Sequence, residues 1–177
     1  ERLKSEPLLL QIPVGIGPPH VADPFRGVID LITMELVTFP PKDEVLGGEA
    51  AAVEPMRSSV PAEFEAEATE WREQLVSTLF DYSDELAELA LAETAIPVEL
   101  MRETIRKATI QRKVIPVLAG SALDCIGVQP VLDAVAWYLP SPIDVPPVEG
   151  LDPKKKEPTA IQRPPDPEAP FCGLVFK

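Results

Sequence analysis

Cysteine and histidine are scarce in this chain of 177 residues, and their scarcity excludes several kinds of site. Cys125 and Cys172 lie far apart, which fits reduced thiols rather than a disulfide scaffold. His20 is the single histidine, and with no CxxC pair the sequence supplies no ligand set for a metal ion. Since no base lies near Cys125 in the sequence, we expect a small loop residue there rather than a nucleophile. The sequence therefore predicts no metal site and no catalytic residue in this chain.

Long apolar runs, a secretory leader and a phosphate-binding loop are absent as well. The longest apolar run is far shorter than a membrane span, and no basic segment followed by an apolar one opens the chain. The phosphate-binding pattern GxxxxGK[ST] does not occur. Because the chain begins at Glu1 rather than at a methionine, we expect it to be a piece of a longer polypeptide.

Positive charge is also in short supply. Asp and Glu number 29 against 16 Lys and Arg, which gives a net charge of −13. Direct binding to a nucleic acid needs Lys and Arg to displace counterions from phosphates, so we expect none. The acidity favours a basic protein partner, and solubility alone is the simpler explanation. The apolar content of 45% is typical of a globular protein.

The most informative segment is the apolar run of residues 114–118, which leads into Ala119, Gly120, Ser121, Ala122 and Leu123. The run predicts a buried parallel strand, and residues 128–139 predict a helix whose apolar stripe packs back on it. Such a strand delivers the loop that follows it to a ligand at the carboxyl edge of a sheet. A turn that merely links strand to helix would have the same spacing.

The remaining pattern predicts strands first and helices afterwards. Apolar runs predict strands at residues 8–14, 25–32 and 34–39, the last two forming an antiparallel pair. Three helices are predicted to begin near Pro61, Ser83 and Pro97. The first has one apolar face, made of Phe64, Ala68, Trp71, Leu75 and Leu79. Residues 140–170 hold ten prolines and predict a linker without a core.

Five segments, in order along nearly the whole chain, resemble elongation factor G of the bacterial or organellar type. The segments are residues 10–15 (LQIPVG), 25–31 (FRGVIDL), 120–123 (GSAL), 127–135 (GVQPVLDAV) and 138–147 (YLPSPIDVPP). The resemblance implies a translational GTPase that drives tRNA–mRNA translocation on the ribosome, in the cytoplasm or an organellar matrix. It implies GTP and Mg²⁺ as cofactors of the full-length protein and none for this fragment, which we expect neither to bind nor to hydrolyse GTP detectably.

The resemblance also implies a division of the chain and a fold class. It assigns residues 1–7 to the end of a helix of the GTPase domain, 8–110 to an inserted subdomain and 111–142 to the last strand, guanine loop and helix of that domain. It assigns residues 143–170 to a proline-rich linker and 171–177 to the first strand of a β-barrel second domain. The inserted subdomain is expected to be α+β, a small antiparallel sheet with helices. The strand and helix after it form the terminal edge of an α/β P-loop GTPase domain.

Carried onto this sequence, the resemblance makes Gly120, Ser121, Ala122 and Leu123 the guanine-contacting loop, here called the guanine loop. The Ala122 N–H is expected to donate to the guanine keto oxygen. The family often has Lys-Asn-Lys shortly afterwards, where this chain has Asp124, Cys125 and Ile126. This departure suggests a divergent paralogue.

The inserted subdomain of elongation factor G is similar in using an acidic helix to contact the basic stalk protein of the large ribosomal subunit. By position, the matching residues include Ser77, Asp81 and Asp84, with Glu85 and Glu88 beside them. Asp81 and Asp84 share a helical face if the helix continues through Ser83. An ordinary solvated acidic surface is the alternative.

Two other functions stay open on the sequence. The chain is otherwise a free-standing acidic protein-interaction module, or part of a related translational GTPase of the ribosome-protection or release-factor type. Upstream codons for Asn-Lys-x-Asp and for a phosphate loop would exclude the module.

Overall fold

A computed structural model describes residues 6–18, 20–40, 54–144, 146–151, 160–171 and 173. The chain divides into two compact units, Glu1–Leu139 and Pro140–Lys177. The strands of the first unit are β1 (Glu6–Leu9), β2 (Gln11–Val14), β3 (Gly27–Asp30), β4 (Glu35–Thr38), β5 (Met56–Ser59) and β6 (Val114–Val117). Its helices are α1 (Glu65–Leu79), α2 (Asp84–Leu91), α3 (Val98–Ile110) and α4 (Val128–Tyr138).

The first unit contains two separate sheets. Strands β2, β3, β4 and β5 form an antiparallel sheet in sequence order, with Ile12 opposite Ile29 and Val28 opposite Val37. Strands β1 and β6 form a parallel pair. The predicted antiparallel pair of residues 25–32 and 34–39 is thus confirmed as β3 and β4. Strand β5 lies within residues 42–60, for which no element was predicted, and all four of its residues are exposed. A strand without a buried face leaves no apolar alternation to detect.

The prediction of one strand over residues 8–14 is wrong, because the chain changes sheets at Leu10. The Leu10 N–H donates to the Val117 carbonyl at 3.0 Å, and the Leu10 carbonyl accepts from the Leu31 N–H at 3.0 Å. One residue therefore joins the parallel pair to the antiparallel sheet. The apolar run continues through both strands because the core lies against both, so the sequence does not mark the change.

The expected helix end at residues 1–7 also needs correction, since Glu6 and Pro7 belong to β1. Residues 1–5 lie outside the described part of the chain. Residues 8–142 cannot be divided at 110 by secondary structure alone, because β1 before the antiparallel sheet pairs with β6 after the helices. The division of the chain into subdomain and GTPase domain stays a prediction.

Helices α1, α2 and α3 share the core with the strands. On α1, Ala68, Leu75 and Leu79 are buried, and Phe64 and Trp71 pack partly buried against them. The core of the unit also includes these fully buried side chains from the other elements: Leu8, Val14, Ile29, Leu31, Leu86, Met101, Ile105 and Val114. Helix α2 begins after Ser83, whose Oγ accepts from the Leu86 N–H at 3.3 Å, and α3 begins after Pro97. A small antiparallel sheet covered by helices agrees with the expected α+β class.

Arg72 of α1 fixes the helix to the turn between β3 and β4. Its Nη1 donates to the carbonyl oxygens of Leu31 and Ile32, the second at 2.8 Å. Burial lowers the pKa of Arg72, and the nearby Asp30 carboxylate opposes that shift. The guanidinium remains charged and satisfies two carbonyls at the end of a strand.

The second unit contains two short strands within the segment that was predicted to be a linker without a core. Strands β7 (Val148–Leu151) and β8 (Ala160–Arg163) form an antiparallel pair within residues 143–170. All residues of β7 are exposed, which agrees with the prediction that this segment builds no core. A strand was expected over residues 171–177. Phe171 and Gly173 are not in a strand, and the other residues of that segment lie outside the described part. No helix among the described residues is long and apolar enough to cross a bilayer.

Candidate nucleotide-binding loop

The guanine loop lies between the carboxyl end of β6 and the start of α4, as the sequence predicted. Residues 118–120 follow the strand, and a pair of backbone hydrogen bonds between Ser121 and Ile126 then closes the turn. The Ser121 N–H donates to the Ile126 carbonyl at 2.9 Å, and the Ile126 N–H donates to the Ser121 carbonyl at 3.0 Å. The loop is thus a defined turn whose position depends on β6 and α4.

Asp124 stabilises the loop through hydrogen bonds with Ser121. The Ser121 hydroxyl donates to Asp124 Oδ2 at 2.7 Å, and the Asp124 N–H approaches Ser121 Oγ at 3.4 Å. The family often has a cation at this position. Here the carboxylate is occupied with the Ser121 hydroxyl, which gives Asp124 a structural role in the turn.

Two glycines have no room for a side chain. A Cβ on Gly120 would lie 2.9 Å from the Ile126 carbonyl oxygen, and one on Gly127 would lie 2.7 Å from the Ala119 carbonyl oxygen. Gly127 also has a φ of 81°, and Cys125 has a φ of 58°. Left-handed backbone suits glycine and costs other residues energy, so Cys125 adopts a strained conformation to complete the turn.

The tip of the loop is open to solvent. Gly120, Ala122 and Leu123 are exposed, and Leu123 exposes 79% of its surface. Within the described residues, no group accepts a hydrogen bond from the Ala122 N–H. The Ala122 N–H lies between the small side chains of Ser121 and Ala122 itself, so this exposed donor is accessible to the polar edge of a flat ligand.

A cleft of about 420 Å³ borders the loop. One wall consists of residues 119–121 and Asp124, and the other consists of Pro13, Phe25 and residues 15–18. The second wall comes from the ends of β2 and β3, so the antiparallel sheet reaches the neighbourhood of the loop. His20 is exposed and does not line the cleft.

Gln11 is a neighbour of the loop that the sequence analysis missed. Its side chain is 4% exposed, and its Oε1 accepts from the Ala119 N–H at 3.4 Å. A lone amide in the apolar run LLLQIPV was the available signal. An unpaired amide is costly to bury, so a buried glutamine implies a partner.

The prediction that the apolar stripe of α4 packs back on β6 is largely wrong. Of its predicted members, Tyr138 is buried, whereas Val131, Leu132, Val135 and Leu139 are 42% to 62% exposed. Ala134 is the other buried residue of the helix. Val131, Val135 and Leu139 line an open apolar groove of about 460 Å³ with β6. The parallel sheet has two strands in the described part of the chain, and no described element covers that groove.

Arginines of α3 hold the end of α4. The Arg102 guanidinium lies 3.9 Å from the centroid of the Trp137 ring, and Arg106 Nη1 donates to the carbonyls of Trp137 and Leu139 at 2.8 and 3.1 Å. Cations near the last carbonyls of a helix complement its dipole. The helix that follows the guanine loop is therefore anchored at its far end by α3.

Burial raises the pKa of Tyr138 to about 12, with the Arg102 cation opposing the shift and the Asp30 carboxylate adding to it. The Tyr138 hydroxyl is buried next to the Arg102 guanidinium.

The acidic residues lie on two elements rather than one. Asp81 belongs to a short 3-10 helix, Phe80–Tyr82, and Asp84, Glu85 and Glu88 belong to α2. Ser83 between them is extended, with φ −156° and ψ 110°, so the helix does not continue from Asp81 to Asp84. All four carboxylates are exposed, and none has an ion-pair partner among the described residues. We call them the acidic face. Ser77 on α1 is exposed as well.

The described residues contain no group of His, Cys, Asp and Glu suited to a metal ion. Cys125 is half-buried in the turn after the guanine loop.

The chain is similar over its whole length to several elongation factors. It is 43% identical to elongation factor G 2 of Geobacter metallireducens and 40% identical to elongation factor G of Aquifex pyrophilus, over 177 residues in each case. It is 41% identical to elongation factor G 2 of Desulfotalea psychrophila. The chain spans 23% to 24% of the length of these relatives. No protein-family model matches it.

A solved structure has a similar fold. It is a crystal structure of a protein from Thermus thermophilus, 19% identical in sequence, with a TM-score of 0.60. The match covers 82% of this chain and 20% of that one. At this identity the likeness concerns the fold alone. The sequence matches go further and confirm the resemblance inferred from the motifs: over its whole length, this chain is a homologue of a segment of elongation factor G.

Proposed function

We propose that the chain is part of an elongation factor G-like translational GTPase that promotes tRNA–mRNA translocation on the ribosome. Its own contribution is the guanine loop and a surface for the ribosomal stalk. The observation that carries the proposal is the exposed Ala122 N–H at the carboxyl end of β6, in the segment that matches elongation factor G. Strand β6 and helix α4 then form the terminal edge of an α/β P-loop GTPase domain, in the cytoplasm or an organellar matrix.

The proposed chemistry is recognition of one edge of a base. A guanine keto oxygen accepts a hydrogen bond from the Ala122 N–H. Adenine presents an amino group at the same place, so two donors would face each other, and an unpaired buried donor costs about 1–3 kcal/mol. The small side chains of Ser121 and Ala122 allow the backbone to come close to the base.

GTP and Mg²⁺ are proposed cofactors of the full-length protein. The sequence of this chain contains no phosphate-binding glycine loop, so the groups that hold the phosphates and position the attacking water are expected elsewhere in that protein. The exposed Ala122 N–H of the guanine loop is a suitable hydrogen-bond donor for the base of such a nucleotide. We expect the isolated chain neither to bind GTP at micromolar concentrations nor to hydrolyse it.

Nucleotide affinity tests the loop. In the full-length protein, GDP is compared with the diphosphate of 2-aminopurine riboside, which lacks both the keto oxygen and the N1 proton of guanine. Loss of the keto acceptor by itself is expected to weaken binding about 5-fold to 150-fold. Equal affinities for the two nucleotides would contradict the assignment of the guanine loop.

The acidic face is proposed to contact the basic stalk protein of the large ribosomal subunit. Asp81, Asp84, Glu85 and Glu88 are exposed and have no ion-pair partner in the described residues, so their charge is available to a basic surface. The competing explanation is local, since carboxylates in the first turn of α2 also stabilise the helix dipole. A dipole role concerns Asp84 and Glu85 and does not account for Asp81.

Charge reversal separates the two explanations. We expect the double change Asp81→Lys and Asp84→Lys to weaken stalk-protein binding about tenfold at low salt, with a smaller effect at high salt. The matched control is Glu103→Lys, an exposed carboxylate on α3. Unchanged binding by the double variant would leave the acidic face as solvated surface.

The alternative functions predict different motifs in the gene upstream of this segment. A free-standing acidic module needs no nucleotide motif upstream, whereas a translational GTPase needs Asn-Lys-x-Asp within about 20–30 codons and a glycine-rich phosphate loop further back. A ribosome-protection or release factor would share those motifs and differ in the domains that follow. Sequencing outward from this segment decides between them.

A further inference from the structure

We propose that Gln11 is a positioning residue for the guanine loop, holding it from the antiparallel sheet and thereby sharpening selectivity for guanine. This inference rests on the proposed function of the loop. It adds a residue that lies about a hundred positions earlier in the chain and on a different sheet from β6.

The first observation is the burial of Gln11. Among the described residues, Gln11 and Thr104 are the buried side chains that carry an amide or an aliphatic hydroxyl, at 4% and 2% exposure. Thr104 donates to the Leu100 carbonyl of its own helix at 2.8 Å, so its polarity is satisfied locally. The Gln11 oxygen instead accepts from the Ala119 N–H across 108 positions of sequence. The amide therefore connects two parts of the fold.

The second observation is the hydrogen bonding of the backbone that carries Gln11. Leu10, its neighbour, donates to Val117 of the parallel pair and accepts from Leu31 next to the antiparallel sheet. Gln11 itself is paired in register with Asp30 of β3. The side chain consequently starts from a backbone fixed on both sides.

The third observation concerns what the contact can move. Ala119 directly precedes Gly120, where even a Cβ would come within 2.9 Å of the Ile126 carbonyl oxygen. The Ala119 carbonyl also closely approaches Gly127 on the other side of the turn. A shift of Ala119 in so tightly packed a turn would therefore displace the residues that follow it, Ala122 among them.

The test measures selectivity in the full-length protein. Affinities for GDP and for the 2-aminopurine riboside diphosphate are compared in the wild type, Gln11→Met and Gln11→Asn. Met has similar length without the acceptor, and Asn keeps the amide one methylene short of Ala119. We expect the GDP preference to fall about fivefold in both variants, through weaker GDP binding alone. Binding of the 2-aminopurine nucleotide shows that the variants are folded.

The control is Thr104→Val, which also removes a buried polar group but not one that contacts the loop. It is expected to keep the wild-type ratio. A wild-type ratio retained by both Gln11 variants would overturn the role of Gln11 while leaving the guanine loop intact. An equal loss of affinity for both nucleotides would make Gln11 merely structural. A wild type without GDP preference would overturn the proposed function itself.

Discussion

At the scale of single residues, Tyr138 is buried in a way that ties stability to pH. The environment raises its pKa from 10.0 to about 12, chiefly by burial. The folded state therefore favours the neutral phenol over the phenolate more strongly than the unfolded state does. The corresponding stability is present below pH 10 and is lost as the pH rises through about 12.

The prediction is a Tyr138-dependent loss of stability in alkali. Between pH 9 and a pH of about 12, the unfolding free energy of the wild type is expected to fall about 2 kcal/mol more than that of Tyr138→Phe. Urea unfolding at the two pH values measures this difference, and Tyr82→Phe, the other tyrosine, is the control. A Tyr138→Phe variant with the full wild-type loss would show that the phenol does not cause it.

Single residues also show where sequence reasoning stops. The position of the guanine loop was predictable, because an apolar strand, a small-residue turn and a helix follow one another without a gap. The bond between Ser121 and Asp124 and the left-handed Cys125 were not. Both depend on how the turn closes, which neither periodicity nor composition encodes. Gln11 was missed because its partner lies 108 positions away.

At the scale of elements, Ser83 separates α1 and its short 3-10 extension from α2. Its Oγ accepts the Leu86 N–H at 3.3 Å and satisfies a backbone donor that the helix cannot. The same residue turns the chain between Asp81 and the carboxylates of α2, so it shapes the acidic face.

We expect Ser83→Ala to lower the unfolding free energy by about 1 kcal/mol, because the cap is lost. Urea unfolding measures the effect. Ser77→Ala is the matched control, since Ser77 is exposed within α1 and alanine favours a helix interior. Equal stability of wild type and Ser83→Ala would mean that water replaces the cap.

Elements with a one-sided apolar pattern were predicted correctly, and those without one were not. The buried stripe of α1 and the beginnings of α2 and α3 follow from spacing and caps. Strands β5 and β7 have no buried residue, so no alternation marked them. The apolar spacing of α4 marked a helix correctly, but the prediction that its stripe is packed was largely wrong, because no described element covers most of it.

At the scale of the whole molecule, the chain joins an acidic α+β layer to the edge of a parallel sheet. Leu10 joins the two sheets through its backbone, Arg72 fixes α1 to the end of β3, and Arg106 holds the end of α4. The guanine loop and the acidic face thus belong to one compact unit, Glu1–Leu139.

A crystal structure of the full-length protein with GDP would show whether the Ala122 N–H binds the keto oxygen of guanine. We expect a distance of about 3 Å between the Ala122 nitrogen and that oxygen. A guanine bound with its keto oxygen more than about 4 Å from Ala122, or paired with another donor instead, would contradict this expectation.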